Sequence, residues 1–266
     1  GIWGTWEHYH GINTLGTENV IAGCLVHGVG RLVYTSSPSV TFDGTDQINV
    51  DESAPYPQKW LCHYPHSKAL AEQAVLAANG ENGLRTCSLR PHLIWGPRDE
   101  HLIPRLIERA QSGKLRRVGD GTNLIDLIYV ENAATAHLLA ADALDTDAAG
   151  KAYFISQGEP VNCWDWINEI LALAKLPPIS KSISLPAARL AGATLEGLWS
   201  ILRRRDEPRM TRFLAAQLAT SHYFDIRAAR QDFGYDPAVS IAEGMRRLER
   251  WLNDAPGFNG DAVGSP

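Results

Sequence analysis

The chain has 266 residues, 44% apolar and 21% charged, with a formal net charge of −5, enough for one large or two modest globular domains. The acidic balance leaves no basic footprint for a nucleic acid, and no apolar run approaches the about 20 residues of a membrane span. Cys24, Cys62, Cys87 and Cys163 show no C-x-x-C spacing and read as thiols of a reducing, cytoplasmic compartment, not as disulfides.

The chain opens on Gly1-Ile2-Trp3-Gly4 without a Met, as a piece of a longer protein would. The spacing predicts a helix from Ile12 to His27, ended by Gly28 and Gly30, and then a strand from Arg31 to Ser37. After a Pro-bearing loop, a second helix runs from Tyr64 to Ala78 and stops at Asn79-Gly80. Thr86–Leu89 reads as the next strand, Ile103–Gln111 and Glu131–Ala143 as helices, and Ala152–Ile155 as a buried strand. Such alternation predicts α/β architecture around a mainly parallel sheet. Past Gly158 four helical segments follow, near Trp164–Ala174, Pro186–Leu202, Met210–Leu218 and Ile241–Trp251. Residues 1–158 are therefore assigned to an α/β domain and 159–258 to a smaller, mostly helical one, with some interleaving. Residues 259–266 read as a disordered tail.

Tyr64 and Lys68, four apart at a helix start, project from one face. An ammonium near a phenol favours the phenolate and brings the tyrosine toward the range of a proton-transfer group. A solvated Tyr/Lys face is the bland alternative, and chance supplies about 0.2 such pairs in a chain of this composition. Ser36 and Ser37 stand at the C-terminal end of a predicted parallel strand, where open α/β sheets bind ligands. A hydroxyl there can hold the oxygen that the tyrosine protonates, although ordinary turn chemistry also explains a Ser-Ser pair.

Five blocks, Asn13–Ile21, Leu32–Val40, Tyr64–Glu72, Leu89–Arg98 and Asp126–Asn132, together resemble the extended short-chain dehydrogenases/reductases. The branch is that of 3β-hydroxysteroid and sterol-4α-carboxylate 3-dehydrogenases, close to the 2-alkyl-3-oxoalkanoate reductases. The resemblance implies a Rossmann-like doubly wound sheet with a helical substrate domain. It further implies NAD or NADP as cofactor and interconversion of a secondary alcohol and a ketone on a sterol-like or long-chain molecule. Reduction of a β-keto acid, nucleotide-sugar epimerisation or dehydration, and a non-catalytic truncated relative are the alternatives. By resemblance Tyr64 is the general acid/base, Lys68 lowers its pKa and holds the nicotinamide ribose, and Ser37 orients the reacting oxygen, with Ser36 as substitute. Pro91, His92 and Ile94 line the nicotinamide side, and Asn13 supports the site. Arg98 faces a substrate anion, unless it pairs with Asp99 or Glu100. The partner implied is a small apolar alcohol or ketone, with a homodimer as the expected assembly.

The family's glycine-rich phosphate turn, strand then G-x-x-G-x-x-G then helix, is not in this sequence. The resemblance places it, with the residue that chooses NAD over NADP, in 60 to 90 residues ahead of Gly1, about two or three βαβ units. The 266 residues alone are expected to be inactive. His8 and His10 lack a third ligand nearby and read as surface histidines. Arg203-Arg204-Arg205 reads as a solvated face. Trp164 and Trp166, at i and i+2, cannot share a helix face, so at least one packs in the core.

Overall fold

The computed structural model describes residues 2–204 and 206–254; the expected tail at 259–266 lies outside them. A short helix α1 (Trp6–Tyr9) starts on the Thr5 hydroxyl, which accepts from the His8 amide. It runs through a π-helical turn, His10–Leu15, into α2 (Gly16–His27). Gly28, at φ +66, turns the chain out of α2, a left-handed position that glycine fills without strain. Then come β1 (Arg31–Thr35), β2 (Gln47–Val50), α3 (His63–Ala77), β3 (Arg85–Pro91), β4 (Ile94–Trp95) and α4 (Leu102–Gln111). Three two-residue strands, β5 (Arg117–Val118), β6 (Leu124–Ile125) and β7 (Ile128–Tyr129), lead to α5 (Val130–Asp142) and β8 (Ala152–Ile155). The rest is β9 (Val161–Asn162), α6 (Cys163–Leu173), β10 (Ser182–Ile183), α7 (Leu185–Ile201), α8 (Arg212–Ala219), β11 (His222–Phe224), α9 (Arg227–Phe233) and α10 (Ile241–Asp254).

β1, β3 and β8 form a parallel sheet in that spatial order, with Val33 opposite Cys87 and Arg90 opposite Phe154. Leu32 and Tyr34 meet Ile21 and Cys24 of α2 and Val75 of α3 on one face. Val33, Cys87 and Leu89 meet Ala133, Ala136 and Ala140 of α5 on the other. Thr86 through Pro91 are buried, as a strand covered on both faces requires. On its outer side β1 has no strand beside it among the described residues. Ile12, Val20 and Val26 of the helix before it stand in solvent.

A second sheet, ordered β2-β11-β6-β9, was not visible in the sequence. β2 lies in the stretch read as a loop, and β11 and α9 lie where only four helices were expected. Each is too short to show a period. Their pairing carries residues 222–224 across to Gln47, Ile48 and Val50. Trp164 and Trp166 are both buried, in a core with Trp95, Tyr129, Ile103 of α4 and Leu248 of α10.

α7 and α8 cross with almost no space between their backbones. A Cβ added at Gly192 would stand 2.7 Å from the Arg212 nitrogen and the Thr211 carbonyl carbon. Those are backbone atoms, so one helix must move. Gly192→Ala is expected to destabilise the fold by about 1–3 kcal/mol, at roughly 2–4 °C of melting temperature per kcal/mol. Calorimetry that finds the two melting temperatures equal would refute the close crossing.

Candidate active site

α3 is fixed to the sheet through its buried carboxylate. Glu72 accepts from the Arg90 guanidinium at 2.6 Å, the Tyr56 hydroxyl at 2.7 Å and the Ser88 hydroxyl at 2.9 Å. Burial works against this charge, while Arg90 and the hydroxyls hold the carboxyl below its ordinary range. Tyr64 and Lys68 lie two turns and one turn before Glu72 on the same helix, with Pro65 in the first turn where its missing N–H costs nothing. A second tie comes from the π-helical turn. Asn13 donates to the Ser67 hydroxyl at 2.9 Å, and Thr14 donates to the Ser67 carbonyl at 3.0 Å. The Ser67 hydroxyl in turn donates to the Tyr64 carbonyl.

Tyr64 borders a cavity of about 130 Å³ with Ser37, Pro91 and His92. Burial raises the Tyr64 phenol above its ordinary value, and the Ser37 hydroxyl beside it pulls the other way. The ring of Tyr9 stands edge-on to it at 6.0 Å. The expected lowering by Lys68 is not what the geometry gives. Lys68 donates to the Thr35 carbonyl and lies 4.2 Å over the Tyr34 ring. Burial brings its own pKa down to about 8.

The structure therefore brings Ser37, Tyr64, Pro91 and His92 together, with Lys68 alongside and Asn13 behind α3. Ser36 is buried and helps to hold the Glu72 carboxyl down. Ile94 is 39% exposed and outside the cavity lining. Arg98 is exposed too, beyond the turn at Gly96, and does not reach the cavity. Among the other lining residues, sequence reasoning missed Gln47, Leu93, Gln217, His222 and Phe224. The one signal for them was the run His222-Tyr223-Phe224, bounded by Ser221 and Asp225, which suits a short strand.

The family model of the 3-beta hydroxysteroid dehydrogenase/isomerase family matches residues 4–186. Over 254 residues the chain is 52% identical to a 2-alkyl-3-oxoalkanoate reductase of Stenotrophomonas maltophilia, covering 94% of this chain and 76% of that protein. It is 37% identical over 247 residues to the mouse (Mus musculus) sterol-4-alpha-carboxylate 3-dehydrogenase, decarboxylating, covering 91% and 68%. In three dimensions it resembles a dTDP-glucose 4,6-dehydratase of Streptomyces venezuelae crystallised with NAD. The TM-score is 0.70 at 23% identity, over 95% of this chain and 69% of that one. This last likeness is one of fold.

The Lys68 environment makes a pH-dependent statement. Its folded pKa of about 8 lies below the ordinary 10.5. The cost of holding the charge is thus full below pH 8 and fades as the pH rises toward 10.5. The ε-carbon NMR signal of Lys68 is expected to titrate near pH 8; a midpoint at 10 or above would mean that the ammonium is solvated.

Proposed function

The chain belongs to the 3-beta hydroxysteroid dehydrogenase/isomerase family, and from that membership we propose that its Tyr64 cavity reduces the ketone of a long-chain 2-alkyl-3-oxo acid. That it is an oxidoreductase follows from the reductases and dehydrogenases among its relatives. The choice of substrate rests on one observation, the 52% identity with a reductase of that name.

Residues at the C-terminal ends of β1 and β3 suit the nicotinamide–ribose end of NAD or NADP, because ligands of open parallel sheets bind there. Lys68 gives one of its three N–H donors to Thr35 and has others for a ribose. When bound, a nicotinamide supplies the hydride. Tyr64 gives its phenolic proton to the carbonyl oxygen as the carbon is reduced, and the Ser37 hydroxyl donates to the same oxygen. The raised phenol suits this direction, because Tyr64 holds its proton at neutral pH until the oxygen becomes basic enough to take it. Asn13 positions Tyr64 through Ser67. The second reading, dehydrogenation of a sterol carboxylate, draws on the 37% identity with the mouse enzyme. Both substrate classes offer a carboxyl beside an alcohol or ketone.

Hydride transfer by the intact protein is expected to fall about 10²–10⁴-fold in Tyr64→Phe, with NAD(P)H binding retained. Turnover near the wild-type rate, in a variant shown by fluorescence titration to bind the cofactor, would exclude Tyr64 as the proton donor.

A further inference from the structure

One side of α7 stands in solvent and carries no charge. Leu190 is 70% exposed, Leu198 45%, Ile201 81% and Leu202 57%. At 3.6 residues per turn these four share an arc of about 160° with Thr194 and otherwise only alanine, glycine and proline. Thr194 turns its hydroxyl back into the helix, donating to the Leu190 carbonyl at 2.9 Å. The charges of α7 are tied to the rest of the molecule. Arg189 donates to the Gly44 carbonyl at 3.0 Å, and Glu196 accepts from the Arg212 guanidinium at 2.7 Å. On the opposite side Ala188 and Gly192 are buried, and Gly192 meets the start of α8, the helix that brings Phe213 and Gln217 to the cavity.

Where α7 ends, the charge changes sign. Residues 203–212 hold five arginines against Asp206 and Glu207, in a chain whose net charge is −5. Both acids are matched, Asp206 by Arg204 at 2.7 Å and Glu207 by Arg105 at 2.8 Å. Arg204 also lies 4.7 Å over the Trp199 ring. Arg203 and Arg209 are exposed and have no acidic partner among the described residues.

We propose that this side of α7, with Arg203 at its end and Arg209 in the segment that follows, docks the protein on the surface of an anionic phospholipid bilayer. The aliphatic side chains enter among the acyl chains and the arginines meet the phosphates. Exposed aliphatic residues scattered singly are ordinary, but a contiguous face of them marks a docking surface. A protein partner fits it less well. Protein interfaces carry about one hydrogen bond per 100–200 Å² and are rich in aromatic residues, and this face offers neither a free donor nor a ring. Hydrocarbon asks for neither, and arginines beside an aliphatic face suit lipid headgroups. α7 lies along such a surface and not through it, because it carries Arg189 and Glu196, and no described helix is long and apolar enough to cross a membrane. The long-chain substrate proposed above dissolves in the same layer. That reading supplies a reason for docking, while vesicle binding is measured without turnover, so the two can fail separately.

The intact protein is expected to co-sediment with phosphatidylcholine vesicles that contain phosphatidylglycerol, and to bind less at high salt or without the anionic lipid. Arg203→Gln is expected to weaken binding about fivefold, and Leu190→Gln combined with Ile201→Gln at least about tenfold. Both aliphatic positions stand in solvent and outside the cavity lining, so turnover in free solution and melting temperature are expected to stay as in the wild type. Leu138→Gln, at 69% exposure on α5, is the control and is expected to bind like the wild type. Failure to bind the anionic vesicles overturns the proposal. So does binding that the double variant leaves intact, that Leu138→Gln weakens equally, or that is indifferent to salt and anionic lipid. A wild type that sediments alone as a dimer, where the double variant is a monomer, gives this side of α7 to a second copy and overturns it too. The lipid and salt comparisons use the wild type and need no variant to fold.

Discussion

Glu72 and Arg90 meet between α3 and β3 with side chains 0% and 5% exposed. Taking two charges out of water costs several kcal/mol per ion, recovered only when geometry and further hydrogen bonds are good. Here Tyr56 and Ser88 complete the carboxylate. A helix anchored in this way cannot slide one turn without stranding a buried charge, at about 3–5 kcal/mol. The ion pair thereby sets where Tyr64 and Lys68 stand relative to the end of β3. Its reach continues beyond α3. The Arg90 guanidinium lies 5.1 Å from the Phe154 ring, and Phe154 stacks at 4.2 Å on Phe224 of β11. Both parts of the cavity wall, one from α3 and one from β11, are thus referred to the same buried pair.

What could be read from the sequence was whatever has a period or a local cap. The helices at 64–77, 103–111 and 131–142 and the strand at 152–155 appear as expected, because apolar spacing and stop signals such as Asn79-Gly80 are local. The four-residue and shorter strands of the second sheet carry no period, and their partners lie far away in the chain. The same division runs through the site. Ser37, Tyr64 and Lys68 follow from strand end and helix start, whereas Gln47, Gln217 and His222 reach the cavity only through tertiary pairing. Arg98 was chosen for its charge and its place in the chain. The turn at Gly96, at φ +151 with Val130 and Tyr129 packed against it, precedes a residue that stays in solvent.

Electrostatics departs from the expected Tyr/Lys pattern in an instructive way. Sequence spacing brings the two residues onto one helix face but says nothing of what else each will meet. Lys68 finds a carbonyl and an aromatic ring, Tyr64 finds a hydroxyl and apolar surroundings, and burial dominates both. Desolvation favours the neutral form of each, which leaves a phenol that keeps its proton beside an amine that holds its own weakly. A cation brought close, or water expelled by a ligand, would act on two groups already set near their neutral states.

Gln47 faces His222 across β2 and β11, and the hydrogen bond from Ser221 to Asp46 beside them spans 175 residues of chain. The contact of Lys68 with Thr35 spans only 33. Loop closure grows costlier with length, and distant pairings slow folding. A refolding chain is therefore expected to gather its Tyr64 side before its His222 wall. β11, three residues long with a break in register between Tyr223 and Phe224, has little local support of its own. As the molecule loosens, the cavity is therefore expected to lose its β11 side before the side that α3 provides, because the three-residue strand has less local structure to hold it than the fifteen-residue helix.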